Sequence, residues 1–98
     1  MLSTIELLDR AKTVAGNVSD YRLAQLLGVP PTTVSNYRVG RSRPENPISM
    51  RLADLCGLDP VEVVASVNLE RARSEMDREL WEMILKRCRA PKARKTGH

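Results

Sequence analysis

The strongest constraint on this chain is its punctuation, because a helix-stopping glycine or a proline recurs at short intervals along most of its length. Gly16-Asn17, Gly28, Gly40 and Gly57 tolerate the left-handed conformation of a helix end, whereas Pro30-Pro31 and Pro60 can open a helix but not continue one. Between these stops the apolar residues fall at helical spacing, so the chain should fold as a series of short helices. The first is expected from Thr4 to Ala15. Ser3 and Glu6 have the spacing of a capping box, and Ile5, Leu8, Ala11, Lys12 and Ala15 fall on one face. Ser19 caps a second helix, with Asp20 near the positive end of its dipole and Leu23, Ala24, Leu26 and Leu27 as its apolar face. A third covers Pro31 to Arg38. A fourth runs from Pro47 to Cys56, with Ile48, Leu52, Ala53 and Leu55 apolar.

Asp59-Pro60 is a cap followed by a first-turn proline, so a fifth helix should follow from Val61. The valine-rich run from Val61 to Val67 would also suit a strand, but the cap and the continuation through Glu70 to Arg73 favour helix. Ser74 and Asp77 start a sixth helix that should reach Arg89. Beyond Pro91 the stretch from Lys92 to His98 has nothing to bury and is expected to be disordered.

A chain of 98 residues supports one domain with a thin core, so association with a second copy would help it. There is no Phe, and the aromatics are Tyr21, Tyr37 and Trp81. Aliphatic residues and Met must do the packing, which suits close-packed helices better than a β-sandwich. No apolar stretch approaches the ~18 residues of a bilayer span, and the N-terminus lacks a signal-peptide pattern. Cys56 and Cys88 are isolated within apolar periodic segments and read as reduced core or interface residues of a cytoplasmic protein. The lone histidine is His98 and no CxxC occurs, so neither a zinc site nor another cofactor is expected. No paired carboxylates, nucleophile–base set or phosphate loop stands out, and the chain does not read as an enzyme.

Charge is distributed more informatively than the net +4 suggests. Between Tyr21 and Pro44 there is no acidic residue, while Arg22, Arg38, Arg41 and Arg43 fall there. The balance turns acidic from Val61 to Leu85 and basic again from Lys86 to Lys95. A polyanion would meet the first and last zones and avoid the middle one.

Within the first zone lies a coherent pattern: Leu23-Ala24, Gly28-Val29, Val34-Ser35-x-Tyr37, Gly40 and Pro44. Ala24 is small where the next helix crosses, Gly28 makes the tight turn, and Val29, Val34 and Tyr37 point back to the core. This segment resembles the helix-turn-helix of the Cro/C1-type repressor family, also called the xenobiotic-response-element family. The resemblance spans about Val18 to Val64 and includes the later Leu52-Ala53-x-x-x-Gly57-Leu58. It implies an all-α, five-helix lambda-repressor-like DNA-binding domain over residues 1–73, with an additional C-terminal helix at 74–90 and a basic tail at 91–98. It also implies a homodimer, as in many phage or prophage repressors, acting on a palindromic operator in double-stranded DNA. Two positions depart from the family pattern. Pro30-Pro31 stands where members often place polar residues that touch DNA. Asp20 stands where many carry a Gln that contacts phosphate and buttresses the recognition helix; an acid there would repel phosphate, so that role is not transferred.

On a helical wheel, Val34 and Tyr37 mark the buried face of the third helix, which leaves Thr32, Thr33, Ser35 and Asn36 to reach base edges in a major groove. Arg22, Arg38, Arg41 and Arg43 are expected on phosphates. The sixth helix is apolar over a wide arc: Met76, Leu80, Met83 and Ile84 form a stripe that Trp81, Leu85 and Cys88 extend. Such a helix needs two neighbours, one of them expected to be a second copy, with Met76, Leu80, Trp81, Ile84 and Leu85 at the interface. The alternative is an antitoxin or autoregulator whose C-terminal helices bind a different protein.

Overall fold

A computed structural model describes residues 2–89, and the basic tail expected at 91–98 lies outside the described residues. Six helices follow one another, with no strand among the described residues: α1 (Thr4–Val14), α2 (Asp20–Leu27), α3 (Pro31–Arg38), α4 (Asn46–Cys56), α5 (Pro60–Arg71) and α6 (Glu75–Arg89). The fold is all-α, as the spacing of stops and caps implies.

Local chemistry accounts for the boundaries. The capping box of α1 is closed in both directions: the Glu6 N–H donates to Ser3 Oγ at 3.1 Å, and the Ser3 N–H donates to Glu6 Oε1 at 2.8 Å. Ser19 Oγ accepts the Arg22 N–H at 3.1 Å and Ser74 Oγ the Asp77 N–H at 3.1 Å, which satisfies one free donor at the start of α2 and of α6. Asp59 Oδ1 accepts the Val61 N–H at 2.9 Å. With Pro60 in the first turn, this cap makes the valine-rich run a helix rather than a strand. Gly28 closes α2 at φ +74°, a conformation that costs an L side chain about 1–2 kcal/mol. A Cβ there would also lie 2.5 Å from Arg51 Nη1, because Arg51 reaches from α4 to donate to the Leu27 carbonyl at 2.9 Å. An arginine from α4 therefore completes the turn between α2 and α3.

One core is shared by α1 to α5. It contains Leu7, Leu8 and Ala11 from α1, Leu23, Ala24 and Leu27 from α2, and Val34 and Tyr37 from α3; α4 adds Leu52, Ala53 and Cys56, and α5 adds Val63 and Val67. The face of α1 is rotated from the one read in sequence. Thr4, Leu7, Leu8 and Ala11 are buried, while Ile5 and Ala15 are exposed and Lys12 lies at the rim. A tie to α5 accompanies this face. The Thr4 hydroxyl donates to Glu70 Oε1 on α5, and the Thr4 N–H approaches both carboxylate oxygens at 3.2 and 3.3 Å. Thr4 is thereby buried in the first turn of α1 with its polar groups satisfied. Both cysteines are free: Cys56 is buried, its thiol pushed up in pKa by burial, and Cys88 is half-buried.

The sixth helix packs on α5 through a separate, small cluster of Ala65, Leu69 and Leu85, with Trp81 and Ile84 against it. Leu85, placed at an intermolecular interface from sequence, is instead only 5% exposed and covered by the chain's own α5. The face of α6 that looks away from α5 carries Met76, Leu80 and Met83, all exposed.

Candidate nucleic-acid interface

The geometry of α3 follows from its two inward anchors. Val34 and Tyr37, three residues apart on one face, are buried against α1 and α2, and this turns the rest of the helix outward. Thr32 and Ser35 are exposed, Thr33 and Asn36 half-buried, and Val39 exposed at the C-terminal end. The four residues expected to read bases thus share the polar side of one short helix. Proline occupies the first position of α3, where its missing N–H costs nothing.

Asn36 is already oriented. Its Oδ1 accepts Arg41 Nη1–H at 3.0 Å, and its main-chain carbonyl accepts the Arg41 N–H at 2.9 Å. This leaves the Asn36 amide NH₂ as the outward donor, suited to acceptors such as purine N7 in a major groove. Bidentate pairing with adenine needs the amide oxygen too, and would require Arg41 to move. Arg41 and Asn36 are therefore one unit in which loop and helix are coupled.

The four arginines of the acid-free stretch divide into two groups. Arg22 is exposed at the start of α2 and bonded at 3.1 Å to Gln25 Oε1, and Arg41 is exposed on the loop after α3. Arg43, on the same loop, is half-exposed; it donates to the Gly40 carbonyl at 3.0 Å, and its Nε lies 3.6 Å from Glu70 Oε1, too far for a hydrogen bond. Arg38 differs. Its Nε and Nη2 grip the two oxygens of Asp20 at 3.2 and 2.9 Å, and its Nη1 meets Asp9 Oδ1 at 2.6 Å. Its guanidinium is thereby engaged by two carboxylates within the protein, unlike those of Arg22 and Arg41.

The same network explains Asp20. Lys12 Nζ approaches Asp20 Oδ1 at 3.1 Å, so this carboxylate is met by two cations. Bonds from Arg38 above all, then from Lys12, hold the Asp20 carboxyl below the usual carboxylate range against the opposing effect of burial. An ion pair from the start of α2 to the end of α3 braces α3, and the acid's charge is met by two cations.

Two further arginines escaped the sequence reading. Arg71 ends α5 and Arg73 lies in the turn before α6; both are exposed and line one cleft with Arg41 and Arg43. They were hidden because the stretch from Val61 to Leu85 is acidic on balance, and only the fold brings them beside Arg41 and Arg43. Among the described residues no cluster of His, Cys, Asp or Glu could hold a metal ion, and no helix is long and apolar enough to cross a membrane.

Comparison with known proteins agrees with this geometry. The helix-turn-helix family model matches residues 10–63, which takes in the end of α1, all of α2 to α4 and the start of α5. The chain is also similar to the uncharacterized protein Gp-c of Pseudoalteromonas phage PM2, with 34% identity over 73 residues that cover 74% of this chain and 78% of that protein. No solved structure gives a significant match.

Proposed function

The chain belongs to the helix-turn-helix family of Cro/C1 type, a family of DNA-binding regulators, and on that premise we propose that it is a sequence-specific repressor of the phage type that binds a palindromic operator as a homodimer. The observation that carries this reading is the outward polar face of α3, where Thr32, Thr33, Ser35 and Asn36 stand beside Arg41, with two buried anchors fixing the helix behind them. Thr32 and Ser35 present hydroxyls to base edges and Asn36 an amide donor. Arg22, Arg41 and Arg43 hold phosphates on either side.

Dimerisation is supported by α6. Met76, Leu80 and Met83 lie at spacings of four and three residues on the face turned from α5, the pattern of a helix-pairing seam. Glu79 and Lys86 flank the stripe on one side, one acidic and one basic. A second copy of α6 would bring the same apolar stripe to cover this one, with Glu79, Glu82 and Lys86 at its rim. One short helix reads too few base pairs for an operator, and two copies double the site.

The test is a selection from random duplexes, read together with the protein's mass in solution. The expected outcome is a palindrome with half-sites about one helical turn apart, bound by a dimer. Asn36→Ala should then cost about 1–3 kcal/mol and relax preference at one base pair. Absence of any preferred duplex would refute sequence-specific binding. A monomer that co-purifies with a different polypeptide would select the antitoxin reading instead.

A further inference from the structure

Where the loop after α3 meets the turn between α5 and α6, the surface opens into a cleft of about 640 Å³ lined by Arg41, Arg43, Arg71 and Arg73 together with Glu45 and Glu70. The volume lies within the range of about 300–1,000 Å³ typical of small-molecule sites, but such sites have mostly apolar walls and this one is walled by charge. The two carboxylates do not cancel the four guanidinium groups. Glu70 is turned inward, bonded by the Thr4 hydroxyl and N–H and faced by Arg43 Nε at 3.6 Å. Arg71 and Arg73 are exposed, and no ion pair joins either to a carboxylate among the described residues. Arginine presents a rigid fork of donors that matches phosphate oxygens, and here four converge from two segments some thirty residues apart.

We infer that Arg71 and Arg73 are DNA-backbone contacts, and that the turn between α5 and α6 grips a phosphate next to those held by Arg41 and Arg43. The inference rests on the DNA-binding reading above and extends the footprint beyond the helix-turn-helix. DNA backbone is favoured over a free anion because the cleft is continuous with the loop that leaves the reading helix: Arg41 bonds Asn36 on α3 and also lines the cleft. A strand lying along α3 therefore reaches the cleft without leaving the protein surface.

The experiment compares wild-type protein with R71A, R73A and the double variant, titrated over a range of salt against the selected duplex and an unrelated one. R78A, also exposed and on α6, removes the same charge elsewhere and serves as the control. Each cleft substitution should weaken both duplexes by a similar factor and lower the slope of log affinity against log salt by about one, while R78A leaves the slope unchanged. Thermal midpoints should not move, since neither side chain supports the core. Wild-type affinity and slope in the double variant would overturn the inference while leaving the DNA-binding reading intact, as would an equal loss in R78A. Failure of the wild-type protein to bind either duplex at low salt would overturn both.

Discussion

The five-helix body and the sixth helix are built from similar residues but anchored very differently. The body shares one core to which each of α1 to α5 contributes, so every helix there is clamped by several others. By contrast, α6 rests on α5 through Ala65, Leu69 and Leu85 with two half-buried neighbours, and its opposite face leaves Met76 80% exposed. Burying a leucine contributes about 1.5–3 kcal/mol, whereas ordering one residue's backbone costs about 1–2 kcal/mol. A helix of 15 residues with so few buried side chains gains little from its own chain. The body can hold a reading surface rigid unaided, while α6 needs a second neighbour, which the proposed dimer supplies.

The largest expected effect tests the shared core. Leu23 is fully buried at the α2 centre of that cluster, so Leu23→Ala should cost about 2–5 kcal/mol, seen as a lower urea midpoint for α1 to α5 together. A loss below about 1 kcal/mol, well under the range for a cavity of this kind, would show that the five helices do not share one core. Leu85→Ala should cost about 2 kcal/mol, the low end of that range, because its cluster is small and can collapse. Its signature should be local. Amide protection would fall along α6 while α1 to α4 stay protected in native-state hydrogen exchange. Parallel loss across all six helices would erase the distinction between the two regions.

Which parts could be read from sequence depends on the range of the interactions involved. Boundaries were legible because caps and stops act within four residues: Ser3 with Glu6, Ser19 with Arg22, Asp59 with Val61. The turn pattern from Leu23 to Gly40 was legible for the same reason. The rotated face of α1 was not, since the tie from Thr4 to Glu70 that accompanies it joins residues far apart in sequence. Leu85 was assigned to an interface because its apolar side chain carries no mark of which neighbour covers it. The pairing of Arg38 with Asp20 and Asp9 was not legible, because those acids lie on other helices. Arg71 and Arg73 were overlooked because local charge averaging buried them among acids. Helix identity is thus local information, while the occupant of each helix face is set by contacts the pattern cannot see.

The smallest effect separates, inside the body, the apolar core from the polar brace on its rim. Asp20 is held ionised by Arg38 first and Lys12 second, so its carboxyl titrates lower in the folded protein than the ordinary value of about 3.9. Between those two values the unfolded chain binds the proton and the folded one does not. The pair's contribution is therefore present above about pH 4 and is lost as pH falls through the folded value. The Asp20 side chain is 45% exposed, and solvent screening limits the brace to about 1 kcal/mol. Asp20→Asn should lower stability at neutral pH by that amount and flatten the acid limb of the stability–pH curve, with Leu23 and its neighbours unaffected. Asp9, more exposed and bonded to one Arg38 nitrogen, should matter less, within about 0.5 kcal/mol as Asn. DNA titrations on the same variants carry the argument further, because releasing Arg38 from Asp20 frees a guanidinium beside the reading helix. If Asp20→Asn steepens the salt dependence of binding, Arg38 is kept from phosphate by that pair alone. If the acid limb keeps its shape, Arg38 is not held by Asp20 in solution, and the brace assigned to the rim of the body is absent.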